Sequence, residues 1–149
     1  MITFGKITVE TLPEVREIGE AFTKSVNYPG GFSYEAFRTT WEAALQYDLG
    51  AIFCARDEGR VVGLFGANFI TDPFSGKFTA SEAFWFVVPE ARNSSIALRL
   101  FRMFEDESKL RGCQRSLMIH LHGEFSEALR GFYERRGYAV IETIYGKQL

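Results

Sequence analysis

Cysteine and histidine are scarce in this chain, with two of each among 149 residues. Neither Cys54 nor Cys113 belongs to a metal-spaced cluster, and two cysteines make no disulfide framework. Free thiols in a reducing compartment, and no metal, are the expectation. Internal repeats, low-complexity tracts and linkers are also missing, so residues 1–149 read as one domain. No apolar run approaches membrane-spanning length. The opening Met1-Ile2-Thr3-Phe4-Gly5-Lys6 alternates like a strand and lacks the apolar core of a signal peptide, which points to a cytoplasmic protein without a membrane partner. A dominant charge is absent too. The net charge of −2 argues against broad nucleic-acid binding. Arginines cluster only locally, as Arg92, Arg99 and Arg102 near one helix start and Arg130, Arg135 and Arg136 on another helix. Local positive charge in a near-neutral chain suits a small anionic ligand better than a polyanion, although a solvated helix face explains most of these residues equally well.

What is abundant is apolar surface: 46% of residues, including fifteen phenylalanines, enough for one core. Ile2 to Glu10 alternates as a first strand. Leu12, Val15, Ile18 and Phe22 then recur at helical spacing, with Thr11 as a cap and Pro13 in the first turn. Asn27-Tyr28-Pro29-Gly30-Gly31 breaks the chain, and Ser33 caps a second helix whose stripe is Phe37, Trp41, Ala44 and Leu45. A hairpin follows, Ala51 to Ala55 and Val61 to Phe69 around Asp57-Glu58-Gly59-Arg60. After another turn comes a long strand, Phe78 to Val88. A helix from about Ser94 to Arg111 is stopped by Gly112, Ser116 to Leu121 is a strand, Ser126 to Arg136 is a helix stopped by Gly137, and Tyr138 opens a final strand. The order β-α-α-β-β-β-α-β-α-β implies an α/β (α+β) fold. Its central sheet is mixed, mostly antiparallel and of about six strands, flanked by four helices on both faces.

Two segments carry chemistry. Phe84-Trp85-Phe86-Val87-Val88-Pro89-Glu90-Ala91-Arg92-Asn93-Ser94-Ser95-Ile96-Ala97 is an apolar strand, a proline stop and an arginine-bearing turn into a helix. The first N–H groups of such a helix lack intrahelical acceptors and point outward beside a guanidinium, which suits phosphate or pyrophosphate. In an open sheet, ligands are expected at the carboxyl ends of strands beside a helix start, and this junction is such a place. Phe132-Tyr133-Glu134-Arg135-Arg136-Gly137-Tyr138 is a helix end with a tyrosine one turn before its stop.

These segments and the element order resemble the GNAT superfamily of N-acetyltransferases, which move an acetyl group from acetyl-CoA to an amine. The family's phosphate motif, Gln/Arg-x-x-Gly-x-Gly/Ala, is similar to Arg92-Asn93-Ser94-Ser95-Ile96-Ala97, matching at its first and last positions. Its Tyr-Glu-x-x-Gly-Phe/Tyr helix end is intact as Tyr133 to Tyr138. The resemblance covers essentially the whole chain and is similar to short members found in bacteria and phages. Two positions depart from the pattern. Ser95 stands where the motif has glycine, placing a Cβ where backbone approaches pyrophosphate. Ser126 stands where the family often has a cofactor-contacting asparagine.

The resemblance implies acetyl-CoA as co-substrate, with Arg92 and the amides of Asn93, Ser94, Ser95, Ile96 and Ala97 on its pyrophosphate. It further implies backbone groups of Val87 and Val88 along its pantetheine arm, and Ser126 nearby. Tyr133 would be the general acid for the departing thiolate, although Leu129, Phe132 and Tyr133 also form an apolar stripe. Glu82 alternates onto the face of Phe84 and Phe86, where a carboxylate among aromatics can act as a base, directly or through water; the competing reading is an outward-facing strand glutamate. Tyr28 and Tyr34, with Trp41, would line the acceptor wall, or simply pack. His120 and His122 share a strand face, but a third metal ligand is missing. The expected activity is therefore direct acetyl transfer in a ternary complex, to a small-molecule or protein amine. The alternative is a non-catalytic GNAT-fold interaction protein with a decayed cradle. The amine, the general base, the effect of Ser95 and a homodimer are left open by the sequence.

Overall fold

The computed structural model describes residues 1–92, 95–123 and 125–149. The chain divides into two compact units, residues 1–119 and 120–149.

In the first unit, β1 (Ile2–Ile7), β2 (Gly50–Asp57), β3 (Arg60–Thr71), β4 (Phe78–Val87) and β5 (Arg115–Leu117) form one sheet in sequence order. The first four strands run antiparallel, and β5 pairs parallel to β4. The mixed, mostly antiparallel sheet agrees with the sequence reading. The hairpin between β2 and β3 turns on Glu58 and Gly59, both at positive φ (48° and 86°). A two-residue loop with both centres left-handed matches the twist of the strands it joins, and glycine takes the second position without strain.

Three helices cover this sheet. α1 (Arg16–Ser25) and α2 (Tyr34–Gln46) lie on one face, and α3 (Ile96–Leu110) on the other. Alternation along β4 sorts the contacts. Phe86 meets Phe22 of α1 with ring centroids 5.5 Å apart, and Phe84 meets Trp41 of α2 at 5.2 Å. Trp85 between them turns the opposite way onto Phe101 of α3 at 5.8 Å, and Phe65 stacks on Phe104 at 4.6 Å. The aromatic surplus is thus core, divided between two layers. Trp41 belongs to that core, only 6% exposed, rather than to an acceptor wall.

Each of these helices ends in a left-handed residue that returns two amides to the last turn. At α3 the Gly112 amide donates to the Lys109 carbonyl and Cys113 to Ser108, at 3.0 and 2.9 Å. Asn27 and Asp48, at φ 49° and 55°, do the same for α1 and α2. The corner between α2, α3 and β1 is fastened by Arg111, which bonds Asp48 and Glu107, while Glu107 also accepts from Lys6 at 2.8 Å.

In the second unit, α4 (Ser126–Arg135) is the one regular element among the described residues. The strand expected from Tyr138 onward is not formed: residues 138–149 have no ladder, and Val140, Ile144 and Tyr145 are exposed. The sheet therefore has five strands instead of about six. Alternation gives a segment strand character, but a strand exists only where a neighbour accepts its hydrogen bonds. Cys54 and Cys113 are free thiols, as expected.

Candidate active site

The geometry begins at a break in the β3–β4 ladder. Gly66 pairs with Phe84 and Ala67 with Glu82, so Ala83 is an extra residue on β4. A bulge of this kind bends the strand and resets its alternation. Gly66 makes room for it, since a methyl there would overlap the Phe84 ring. Because Gly66 and Ala67 point to opposite faces, so do their partners: Glu82 does not share the face of Phe84 and Phe86, as unbroken alternation had implied. It lies on the α3 side and is 7% exposed.

The β4–β5 ladder is short, running only from Thr79↔Arg115 to Ser81↔Leu117. The sequence had extended this strand to Leu121. It stops because the Ile119 amide donates to Oε2 of Glu82 at 2.9 Å instead of to a β4 carbonyl. Beyond Ser81, β4 therefore continues toward Val87 without β5 beside it.

At the far end of that edge, the Val88 amide donates to the Val62 carbonyl at 3.0 Å. This donor is committed to β3, contrary to the pantetheine role expected of it. The same bond makes Val88 and Val62 the hydrogen-bonded pair, so the peptide groups of Val87, one residue earlier, face away from β3. The Val87 amide and carbonyl face away from β3, and the carbonyl accepts from Nε of Arg92 at 2.9 Å.

Val88 leads into a short 3-10 turn, Pro89–Ala91, and then Arg92. Arg92 folds back over the strand end, Nε donating to the Val87 carbonyl at 2.9 Å and the guanidinium lying 5.4 Å from the Phe86 ring centroid. Asn93 and Ser94 lie outside the described residues. Ser95 caps α3 through its carbonyl, which accepts from Arg99, while its side chain makes no capping bond. Ile96 is buried against Gly63 of β3, and Ala97 is half-buried in the first helical turn. Arg92 thus lies at the strand end on one side of Asn93 and Ser94, and Ser95 opens α3 on the other. The first amides of the fifteen-residue α3 lack intrahelical acceptors, as at any helix start.

Tyr28 is exposed in the turn after α1. Tyr34 opens α2 and is half-buried with the Arg16 guanidinium 5.4 Å from its ring. The structure does not bring these two rings together by any contact among the described residues.

In the second unit, Tyr133 is buried in the last full turn of α4 between Phe132 and Tyr138, with centroids at 5.9 and 5.8 Å. Gly137, at φ 82°, ends the helix. Ser126 begins it, and its Oγ lies 2.8 Å from Nε2 of His120. His120 and His122 stack at 5.7 Å instead of alternating in a strand, and no group of metal-ligating side chains occurs among the described residues. Arg130 of α4 lies near Glu127, and Arg136, just past the helix, lies over Phe132. Sequence reasoning missed Ala83, Gly66 and Ile119. Gly66 was the available signal, because glycine inside an apolar strand marks a bulge or a close approach.

Residues 16–138 match the Acetyltransferase (GNAT) family, and the match crosses both compact units. The chain belongs to the GNAT acetyltransferase family. Solved structures agree on the fold. A predicted acetyltransferase from Clostridium acetobutylicum, with acetyl-CoA, superposes with TM-score 0.82 at 14% identity, covering 99% of this chain and 96% of that one. A ribosomal-protein-alanine N-acetyltransferase from Brucella melitensis biovar Abortus 2308 gives 0.73 at 17% identity, covering 100% and 99%. An aminoglycoside acetyltransferase from an uncultured soil metagenomic sample gives 0.79 at 14% identity, again over 100% and 99%. No match is found among curated protein sequences.

Proposed function

We propose that this GNAT acetyltransferase moves the acetyl group of acetyl-CoA to a primary amine by direct attack in a ternary complex. The observation that carries this reading is the β4 edge, which parts from β5 after Ser81 and ends at the Arg92 junction before α3. An extended pantetheine arm can pair with such an edge as an added strand does, through the outward amide of Val87, whose carbonyl is bonded to Arg92. Arg92 and the first-turn amides of Ser95, Ile96 and Ala97 would hold the pyrophosphate. Asn93, Ser94 and Ser126 are assigned to the same co-substrate on the family pattern.

In the transfer the amine nitrogen bonds to the acetyl carbon and the carbon–sulfur bond breaks. Glu82, directly or through water, takes the ammonium proton; as the intermediate collapses the Tyr133 hydroxyl gives its proton to the thiolate, and the second nitrogen proton passes through water to restore that hydroxyl. Each proton transfer is worth about a hundredfold or more in rate. Holding amine and thioester together supplies a further large share. The acceptor is assigned only as an amine, small-molecule or protein. The neighbours named for a ribosomal-protein alanine and for aminoglycosides both act on amines, and Tyr28 and Tyr34 are the side chains proposed to meet it. We place the whole of residues 1–149 in this single activity.

The test is incubation with acetyl-CoA and a panel of amines (peptide N-termini, polyamines, aminoglycosides), read by thiol release and product mass. A gain of one acetyl group on an amine, with matching free CoA, is expected. Absence of both across the panel, together with no acetyl-CoA binding, would favour a non-catalytic interaction protein.

A further inference from the structure

The buried carboxylate of Glu82 does something that proton transfer does not require. The register Ser81↔Leu117 would continue with Met118 beside Glu82 and Ile119 beside Ala83. At that point the Ile119 amide turns to Oε2 of Glu82, 2.9 Å away. The amide leaves the ladder at a part-buried position, where a charge-assisted bond to a carboxylate is stronger than one to a neutral acceptor. Glu82 supplies that bond with a side chain longer than a backbone carbonyl, so the two strands are bonded yet held apart. The Ala83 bulge acts in the same place, bending β4 and turning Glu82 onto the α3 face.

We infer that Glu82 is a positioning residue, a strut that ends the β4–β5 ladder through the Ile119 amide and keeps open the gap in which the thioester is to lie. This rests on the acetyl-CoA reading above and is separate from any proton Glu82 takes from the amine. A strut needs an acceptor oxygen at that reach; a base needs a titrating carboxylate. Glutamine has the first and lacks the second, whereas alanine has neither.

The experiment compares wild type, Glu82→Gln and Glu82→Ala by calorimetric titration with CoA and by hydrogen exchange at the Ile119 amide, after thermal unfolding shows each variant folded. Glu82→Gln is expected to bind CoA within about threefold of wild type and keep Ile119 protected. Glu82→Ala is expected to lose about tenfold or more in affinity, one hydrogen bond's worth, and to exchange Ile119 faster. Should the alanine variant not fold, the glutamine variant decides alone: lost affinity or lost protection there overturns the strut. Unchanged affinity and protection in Glu82→Ala overturn it as well. If wild type binds no CoA, the co-substrate reading fails, and the exchange measurement still judges the strut by itself.

Discussion

The Tyr138 amide donates to the Tyr133 carbonyl at 3.1 Å while the two rings lie 5.8 Å apart, so the residue after the helix stop packs on the residue that opens its last turn. With the Gly137 amide on the Glu134 carbonyl, this is a complete glycine-dependent helix stop with its accompanying apolar contact. The spacing Tyr-x-x-x-Gly-Tyr therefore has a physical reason independent of ancestry. It fixes the rotation at which α4 ends, and with it the placement of the Tyr133 ring. Tyr133→Phe keeps both ring contacts and removes only the hydroxyl. The expected outcome is a kcat about a hundredfold lower with little change in KM for acetyl-CoA, measured by steady-state thiol release. An unchanged kcat would take the acid role from Tyr133.

Gly137→Ala tests the stop itself. A Cβ at φ 82° costs about 1–2 kcal/mol, although nothing lies within 4 Å of the site to clash with it. A fall of that size in the unfolding free energy from urea titration is expected, and no change would show that α4 ends without this turn.

Gly66→Ala tests the bulge from the opposite strand. Its methyl would overlap Phe84, itself packed on Phe37 and Trp41, so the aromatic layer has to shift. Overpacking of this kind costs about 1–3 kcal/mol, read as a fall in unfolding free energy. A neutral substitution would mean that Phe84 moves aside freely.

Arg92 contributes charge through its guanidinium and shape through its Nε bond to the Val87 carbonyl. Arg92→Ala should weaken acetyl-CoA binding by about tenfold or more, the worth of a charge-assisted bond. Arg92→Lys should recover only part of this, because lysine has no fork to hold the carbonyl and an anion together. Equal affinity in wild type and Arg92→Ala would remove the pyrophosphate assignment.

Stability should fall in acid through the Glu107 corner. Burial raises the affinity of this carboxyl for its proton, but hydrogen bonds from Lys6 and Arg111 outweigh it and hold the group below its ordinary 4.5. A carboxyl depressed in the folded state contributes stability that is complete above the unfolded value and lost as pH falls through the folded one. Thermal midpoints should therefore decline below pH 4.5, and less steeply in Glu107→Gln. Parallel declines in both proteins would exclude this corner as the source.

The local code carried most of the fold. Gly112 and Gly137 announce their helix ends, and Glu58-Gly59 its hairpin, because each conformation is decided within a few residues. The Arg92 junction was visible for the same reason. What escaped depends on pairing. The run through Glu82, Phe84 and Phe86 alternates without interruption, so Ala83 becomes a bulge only because Gly66 leaves room across the ladder. The early end of β5, the committed amide of Val88 and the lack of a ladder at residues 138–149 likewise depend on pairing and not on local sequence. Ser95 was legible as a departure from the motif, yet its consequence for binding is a matter of affinity.

Calorimetric titration of acetyl-CoA into the wild-type protein tests the central claim most directly. Saturable binding at one site per chain, with affinity lowered by Arg92→Ala, is the predicted result. No heat and no thermal stabilisation at millimolar acetyl-CoA would contradict it.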